Sequence, residues 1–267
     1  MQKIIFKLSI ISITFLLLLS IVFSFSACSL LSRKYIKTET KEANLNSFGK
    51  RKIVVNTDDC DIYIKKSPDS LISIKAEQTA RVKKNELGDP LEGFNIKVDS
   101  SSDIIKIEVQ NHYSRIHFFN FNFNNRERNS CTVYLPDGID FQTENVNSHI
   151  EANDVNNNLI LENTNGKIIL KNTCGKLKLS LTNGNVELTA DSTKGIKADL
   201  TNGKFTLYAG INFSGSFDIS TVNGKITNDW KKDGLINDKR NLKGKVGISD
   251  AEIKISTTNG SIKMYSK

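Results

Sequence analysis

Histidine and proline are scarce in this chain, with three of each among 267 residues. His112, His117 and His149 show no metal-ligand spacing, and the five-residue step between the first two makes a poor metal pair. No metal or cofactor site is therefore expected. No nucleophile, base and orienting residue can be assembled from the motifs in view, which argues against covalent or acid-base catalysis. Nor does any nucleic-acid-reading motif accompany the basic charge, so nucleic acid is not an expected partner. Cysteine is limited to Cys28, Cys60, Cys131 and Cys174. Setting Cys28 aside leaves an odd number, so at most one disulfide can form among them. Cys131 shares a face with Val133 and Leu135, which suits a buried free thiol. With 38% apolar residues, the chain can bury a core, and it reads as a folded protein rather than a tail.

What the chain has in abundance is one repeated unit. Leu179 to Ala190 reads Leu-Ser-Leu-Thr-Asn-Gly-Asn-Val-Glu-Leu-Thr-Ala, and Asn-Gly recurs at Asn165-Gly166, Asn183-Gly184, Asn202-Gly203, Asn223-Gly224 and Asn259-Gly260. The intervals between asparagines are 18, 19, 21 and 36, the last equal to two units of 18. Asn147-Ser148 extends the series backwards by 18. A fixed period of this size indicates stacked repeats. Apolar residues alternate before each pair, as at Leu177, Leu179 and Leu181, and again after it, as at Val186 and Leu188, which predicts strand, turn, strand. Gly203 and its equivalents are expected to take positive φ at a sharp corner. Two architectures use such a unit. In a meander Asn-Gly closes a hairpin, and in a parallel solenoid it is the corner of a coil.

The N-terminus carries a different signal. Lys3 and Lys7 precede an apolar run from Leu8 to Phe25, followed by Ser26, Ala27 and Cys28, the pattern of a secretory signal over residues 1–27. Phe25-Ser26-Ala27-Cys28 resembles the lipobox of bacterial lipoproteins, with Phe25 where that family usually has Leu. The resemblance implies a lipid, such as palmitate, on Cys28 and a domain held at the cell membrane outside the cytoplasm. An ordinary cleaved signal and an uncut anchor are the alternatives, since the 18-residue run could just span a bilayer. Residues 28–50 are polar and read as a tether. The folded part is expected over 51–267, irregular to about 140 and regularly repeating over 141–267.

Within 51–140, Asp59-Cys60 stands where Asn-Gly would be, between Val54-Val55 and Ile62 to Ile64. Asp58, Asp59 and Asp61 could hold calcium or form an acid pair, but a solvated turn is the ordinary use of such residues. Phe118, Phe119, Phe121 and Phe123, with Arg115, Arg126 and Arg128 around them, suggest either a half-buried strand or an aromatic platform.

Leu135-Pro136-Asp137-Gly138, the Thr-x-Asn-Gly units that follow, and the ending Ile253 to Met264 together resemble the bacterial putative-adhesin family of β-strand-repeat proteins of unknown function. The resemblance covers roughly Arg51 to Lys267. It implies an all-β fold, a single-stranded parallel β-helix (β-solenoid), right-handed by the family's pattern, with coils of about 18–20 residues. It implies no chemistry.

The chain carries +8, or +6 once Lys3 and Lys7 leave with the signal. Such a charge outside a membrane favours anionic partners. It concentrates in an insert where Trp230 precedes Lys231, Lys232, Lys239, Arg240, Lys243 and Lys245, opposed only by Asp233 and Asp238. This insert is expected to be an exposed loop that either is merely solvated or docks, with Trp230 at the interface, on an anionic envelope component such as lipid heads or a phosphate-bearing wall polymer. For the module as a whole, an anionic envelope polymer or another envelope protein is the expected partner. The expected function is a lipid-anchored binding or scaffold module. The alternative is a β-helix polysaccharide-active enzyme, which would need carboxylates gathered on one flank, whereas Asp191, Asp218 and Asp250 occupy different turn-like places.

Overall fold

The computed structural model describes residues 35–57, 59–110 and 128–267. Among these residues there is no α-helix, only a 3₁₀ turn at Lys84–Glu86, and fifteen strands share one mixed sheet. The regular repeats are β8 (Asp140–Asn153), β9 (Leu159–Lys171), β10 (Lys176–Ala190), β11 (Gly195–Ala209), β12 (Gly215–Asn228) and β15 (Glu252–Ser266).

Each of these long strands is two arms joined at a bend. In β10, Leu177, Leu179 and Leu181 are buried before the bend, and Val186, Leu188 and Ala190 after it. The buried parity switches from odd to even across Asn183-Gly184, because an alternating strand must turn there for both arms to face one core. Neighbours are parallel and in register, Leu177 lying beside Leu159 on one side and Ile196 on the other. Parallel pairing rules out the hairpin meander, in which Leu181 would face Val186 across an antiparallel pair. Burying each apolar side chain contributes about 1.5–3 kcal/mol, so every added rung supplies a comparable layer of core.

The stack does not follow sequence order. Its strands run β8, β9, β10, β11, β15, β12, so the last strand of the chain sits between two that are consecutive. The interval of 36 between Asn223 and Asn259 therefore hides no missing coil, since these residues stand side by side. The intervening chain forms β13 (Leu235–Asn237) and β14 (Asn241–Val246), an antiparallel hairpin whose β14 covers the outer edge of the first arm of β12. The expected exposed loop is thus partly a sheet, with Leu242 fully buried opposite Ile219.

The irregular part supplies β2 (Lys52–Asn56), β3 (Asp61–Lys66), β4 (Leu71–Val82), β5 (Asn95–Asp99), β6 (Ile104–Gln110) and β7 (Arg128–Leu135). β2 and β3 together act as one more coil, pairing in parallel with the two arms of β8. The tether expected over 28–50 is corrected at its C-terminal end, because Tyr35–Asn46 is a strand, β1, beside β4. Its sequence hides this, since its residues are only half-buried and largely polar, so no apolar alternation shows.

The chain divides into two units. The described residues of the smaller are 35–39 and 79–91, where the Thr38 and Thr79 hydroxyls meet at 2.9 Å and the Leu91 N–H donates to Glu39 Oε2. The larger holds the remaining described residues, including the whole repeat stack.

Candidate functional site

The bend of every coil builds one edge of the repeat stack. Asn147, Asn165, Asn183, Asn202, Asn259 and Asn223 stand in a ladder in which each Nδ2 donates to the Oδ1 of the asparagine one rung nearer β3, at 2.8–2.9 Å. Asn147 closes the series by donating to Asp59 Oδ1 at 2.7 Å. The amide dipoles all point one way and end on a carboxylate, which suits a chain of hydrogen bonds that polarise one another. Asp59 takes the place of asparagine in the ladder at φ 49, and Asp61 Oδ1 accepts the His149 N–H. These two carboxylates serve backbone and ladder, Asp59 from an exposed bend. Asp58 lies outside the described residues.

The glycines behind the ladder need a correction. Gly166 and Gly184 have positive φ, at 133° and 143°, whereas Gly203, Gly224 and Gly260 are not among the positive-φ glycines. What all five share is closeness. A Cβ on Gly203 would overlap the Gly184 carbonyl oxygen, one on Gly260 that of Gly203, and one on Gly224 that of Gly260. Stacked backbones approach so tightly here that no side chain fits.

Outside the ladder, the residue before each asparagine is exposed, giving a row of Val146, Thr164, Thr182, Thr201, Thr258 and Val222. Beside the first three runs a groove of about 390 Å³, bordered by Glu144, Glu162 and Ser180, with buried Asn145 and Asn163 in its lining. Asn163 Nδ2 donates to the carbonyls of Ser148 and Asn165. Sequence reasoning missed this groove. Its only trace is that Asn145 and Asn163 occupy the inward position that Leu181 and Leu200 hold one and two rungs on. Glu144 and Glu162 are register partners, and Glu162 pairs with Lys178 at 3.3 Å. No arginine or histidine lines the groove beside these carboxylates.

The basic end is altered by its packing. Trp230 is not an interfacial residue, being 4% exposed and set among Phe213 and Phe217 with ring centroids 6.0 and 5.7 Å away. An aromatic this large is worth more inside the end of the stack than in solvent. Lys231, Lys239, Arg240, Lys243 and Lys245 are exposed, and Lys232 is half-buried with its Nζ 5.7 Å over the indole. Lys243 pairs with Asp218 and Lys245 with Asp250, so the local excess of +4 becomes +2 when these partners are counted. The N–H groups of Arg240 and Asn241 hold the Asp238 carboxyl below the usual carboxylate range. Lys231, Lys232, Lys239 and Arg240 remain the cations best placed for an external partner. Ile211, Ile236 and Ile248 are 83%, 81% and 97% exposed in and beside this end.

Cys60, Cys131 and Cys174 are all free thiols. Burial pushes the Cys60 thiol up to about 12 and that of Cys131 up as well. Among the described residues no three His, Cys, Asp or Glu side chains converge as a metal site. His149 instead packs edge-on against Tyr63 and lies 3.5 Å from Glu151. Cys28, His112, His117 and the phenylalanines from 118 to 123 lie outside the described residues.

In-register parallel rungs with a shared asparagine edge define an all-β, solenoid-like repeat domain. Residues 139–264 match the Toastrack DUF4097 family, a putative-adhesin family of unknown function. The match covers the regular repeats, a shorter span than the expected 51–267. Crystal structures similar to this chain include the following three. One is of a putative cell adhesion protein from Clostridium sporogenes, 16% identical, covering 86% of this chain and 100% of its own, with a TM-score of 0.48. A putative adhesin from Parabacteroides merdae is 12% identical, with coverages of 85% and 96% and a TM-score of 0.32. A putative lipid binding protein from Parabacteroides distasonis is 13% identical, with coverages of 85% and 96% and a TM-score of 0.36. No curated protein matches the sequence.

Proposed function

We propose that this protein is a binding and scaffold module of the cell envelope, tethered outside the cytoplasm by a lipid on Cys28, with its rungs forming a right-handed single-stranded parallel β-helix. The observation that carries the reading is the uninterrupted ladder from Asp59 to Asn223, which makes a stiff post with regularly repeated outer side chains. Such a surface suits a repetitive partner better than a single small molecule. The partner is an anionic envelope polymer, met by Lys231, Lys232, Lys239 and Arg240 at the far end of the ladder from Asp59.

Each cation close to an anionic surface adds about 1 kcal/mol, fading within a Debye length. The full chain should therefore sediment with phosphate-bearing wall fragments at low salt and be released as salt rises. The variant with Lys231, Lys232, Lys239 and Arg240 all changed to Gln should stay in the supernatant. Equal sedimentation of the two proteins, or retention that ignores salt, would overturn the assignment of the partner.

A further inference from the structure

The terminal strand occupies a place that the rest of the chain prepares for it. β11 and β12 are joined by only the five residues 210–214, yet they do not pair with each other, since β15 lies between them with parallel register to both. Ile253 sits between Ile196 and Phe217, Ile255 between Ala198 and Ile219, and Ile262 between Phe205 and Ile226. All three are 0–1% exposed. Asn259 completes the ladder by donating to Asn202 and accepting from Asn223. At its end the Lys267 N–H donates to the Ala209 carbonyl, and its ammonium reaches Asp191 and Asn172. The chain through β14 thus forms a slot one strand wide, and what fits it is a strand with apolar residues at these positions and Asn-Gly at its bend.

The link to that strand is short, and Gly247, Ile248 and Asp250 within it are exposed. β14 lies on one side of β12 and β15 on the other, so residues 247–251 must cross the start of β12. They do so against Gly215, where a Cβ would press on the Ala251 carbonyl. Two strand spacings, roughly 10 Å, are bridged by these five residues. Gly247 has φ 68, Ile248 is 97% exposed, and the Asp250 side chain is 98% exposed. Every contact of β15 can be made equally well by the same strand from another molecule, because only the crossing differs. A short hinge beside a complete, self-contained element is the condition under which identical copies exchange it.

We propose that the slot between β11 and β12 accepts β15 of a second copy, and that the protein forms dimers by reciprocal exchange of this C-terminal strand. Withdrawing β15 from a folded molecule would expose both flanking rungs, so the choice is made during folding. The dimer fraction then rises with protein concentration during refolding and persists on dilution.

The test refolds the full chain in mild detergent over a hundredfold range of concentration and measures mass by light scattering. A second experiment mixes two differently tagged copies before refolding, one carrying Lys197→Cys and the other Lys254→Cys, both with Cys28→Ser and Cys174→Ser. Lys197 and Lys254 are exposed register partners on β11 and β15. A disulfide joining the two tags therefore reports β15 of one copy beside β11 of the other. A third protein lacks Ile248, Ser249 and Asp250, leaving two residues to make the crossing, and should be dimeric at concentrations where the parent is monomeric. The expected result is concentration-dependent dimer together with the cross-tag disulfide. Monomer at every concentration without that disulfide would overturn the proposal, whether or not the deletion variant folds. So would a dimer in which the two tags never become linked.

Discussion

At Gly203 the requirement for glycine comes from the neighbouring rung, not from the residue's own backbone angles. Gly184, Gly203 and Gly260 stack so closely that each carbonyl occupies the space a side chain would need. Gly203→Val should therefore destabilise the fold by at least about 3 kcal/mol, the upper range for forced overpacking, measured by denaturant unfolding. Gly138→Val serves as the comparison, since φ 86 strains its backbone but nothing lies within 4 Å of its Cβ. A smaller cost at Gly203 than at Gly138 would mean that close approach is not the governing constraint. Cys60 gives a residue-level dependence on pH. Burial raises its folded-state value to about 12 from an ordinary 9.0, so between these values the unfolded chain releases a proton that the folded chain keeps. Its contribution is intact below pH 9 and is lost as pH climbs toward 12. Cys60→Ala should flatten the fall of stability across that window relative to wild type, and identical slopes would exclude the effect.

Among the elements, the asparagine ladder is the one whose polarity can be tested. Asn183 donates to Asn165 and accepts from Asn202, so Asn183→Ala removes both links and should cost about 1 kcal/mol, the net worth of exposed hydrogen bonds. Asn183→Asp keeps the acceptor for Asn202 but sets a carboxylate against the Asn165 oxygen, and should cost more. Asp59→Asn, at the end where only an acceptor is used, should cost less than either. Unfolding free energies in any other order would show that the ladder has no preferred direction. Element by element, the sequence made the repeats legible because Leu177, Leu179 and Leu181 alternate visibly and Asn-Gly marks each bend. It concealed β1, whose half-buried positions carry Lys37, Glu39 and Lys41, residues that an edge strand tolerates and that read as a tether. The basic insert hides its packing for a related reason. Trp230 has no periodic partner in sequence, and Phe213 and Phe217 come around it only when the end of the stack is assembled.

For the molecule as a whole, the lipid proposed on Cys28 would decide where the stack works. Cys28→Ser should abolish incorporation of a fatty-acid analogue and leave an unprocessed precursor on a gel, while wild type incorporates the label. Absence of label in wild type would withdraw the lipoprotein reading and leave an ordinary signal or an uncut anchor.

The sequence by itself determined the unit, its period near 18 and the all-β class, because alternation and the Asn-Gly bend are local properties that each copy carries. It also placed Asp59 in the asparagine series, since the flanking apolar residues set its register. Only the tertiary structure decided the order of the rungs. Near-identical copies have nearly identical edges, so local pattern cannot say which strand lies beside which. The placement of β15 between β11 and β12 was settled by the β13–β14 hairpin, which occupies the outer edge of β12 and leaves the inner one for the end of the chain.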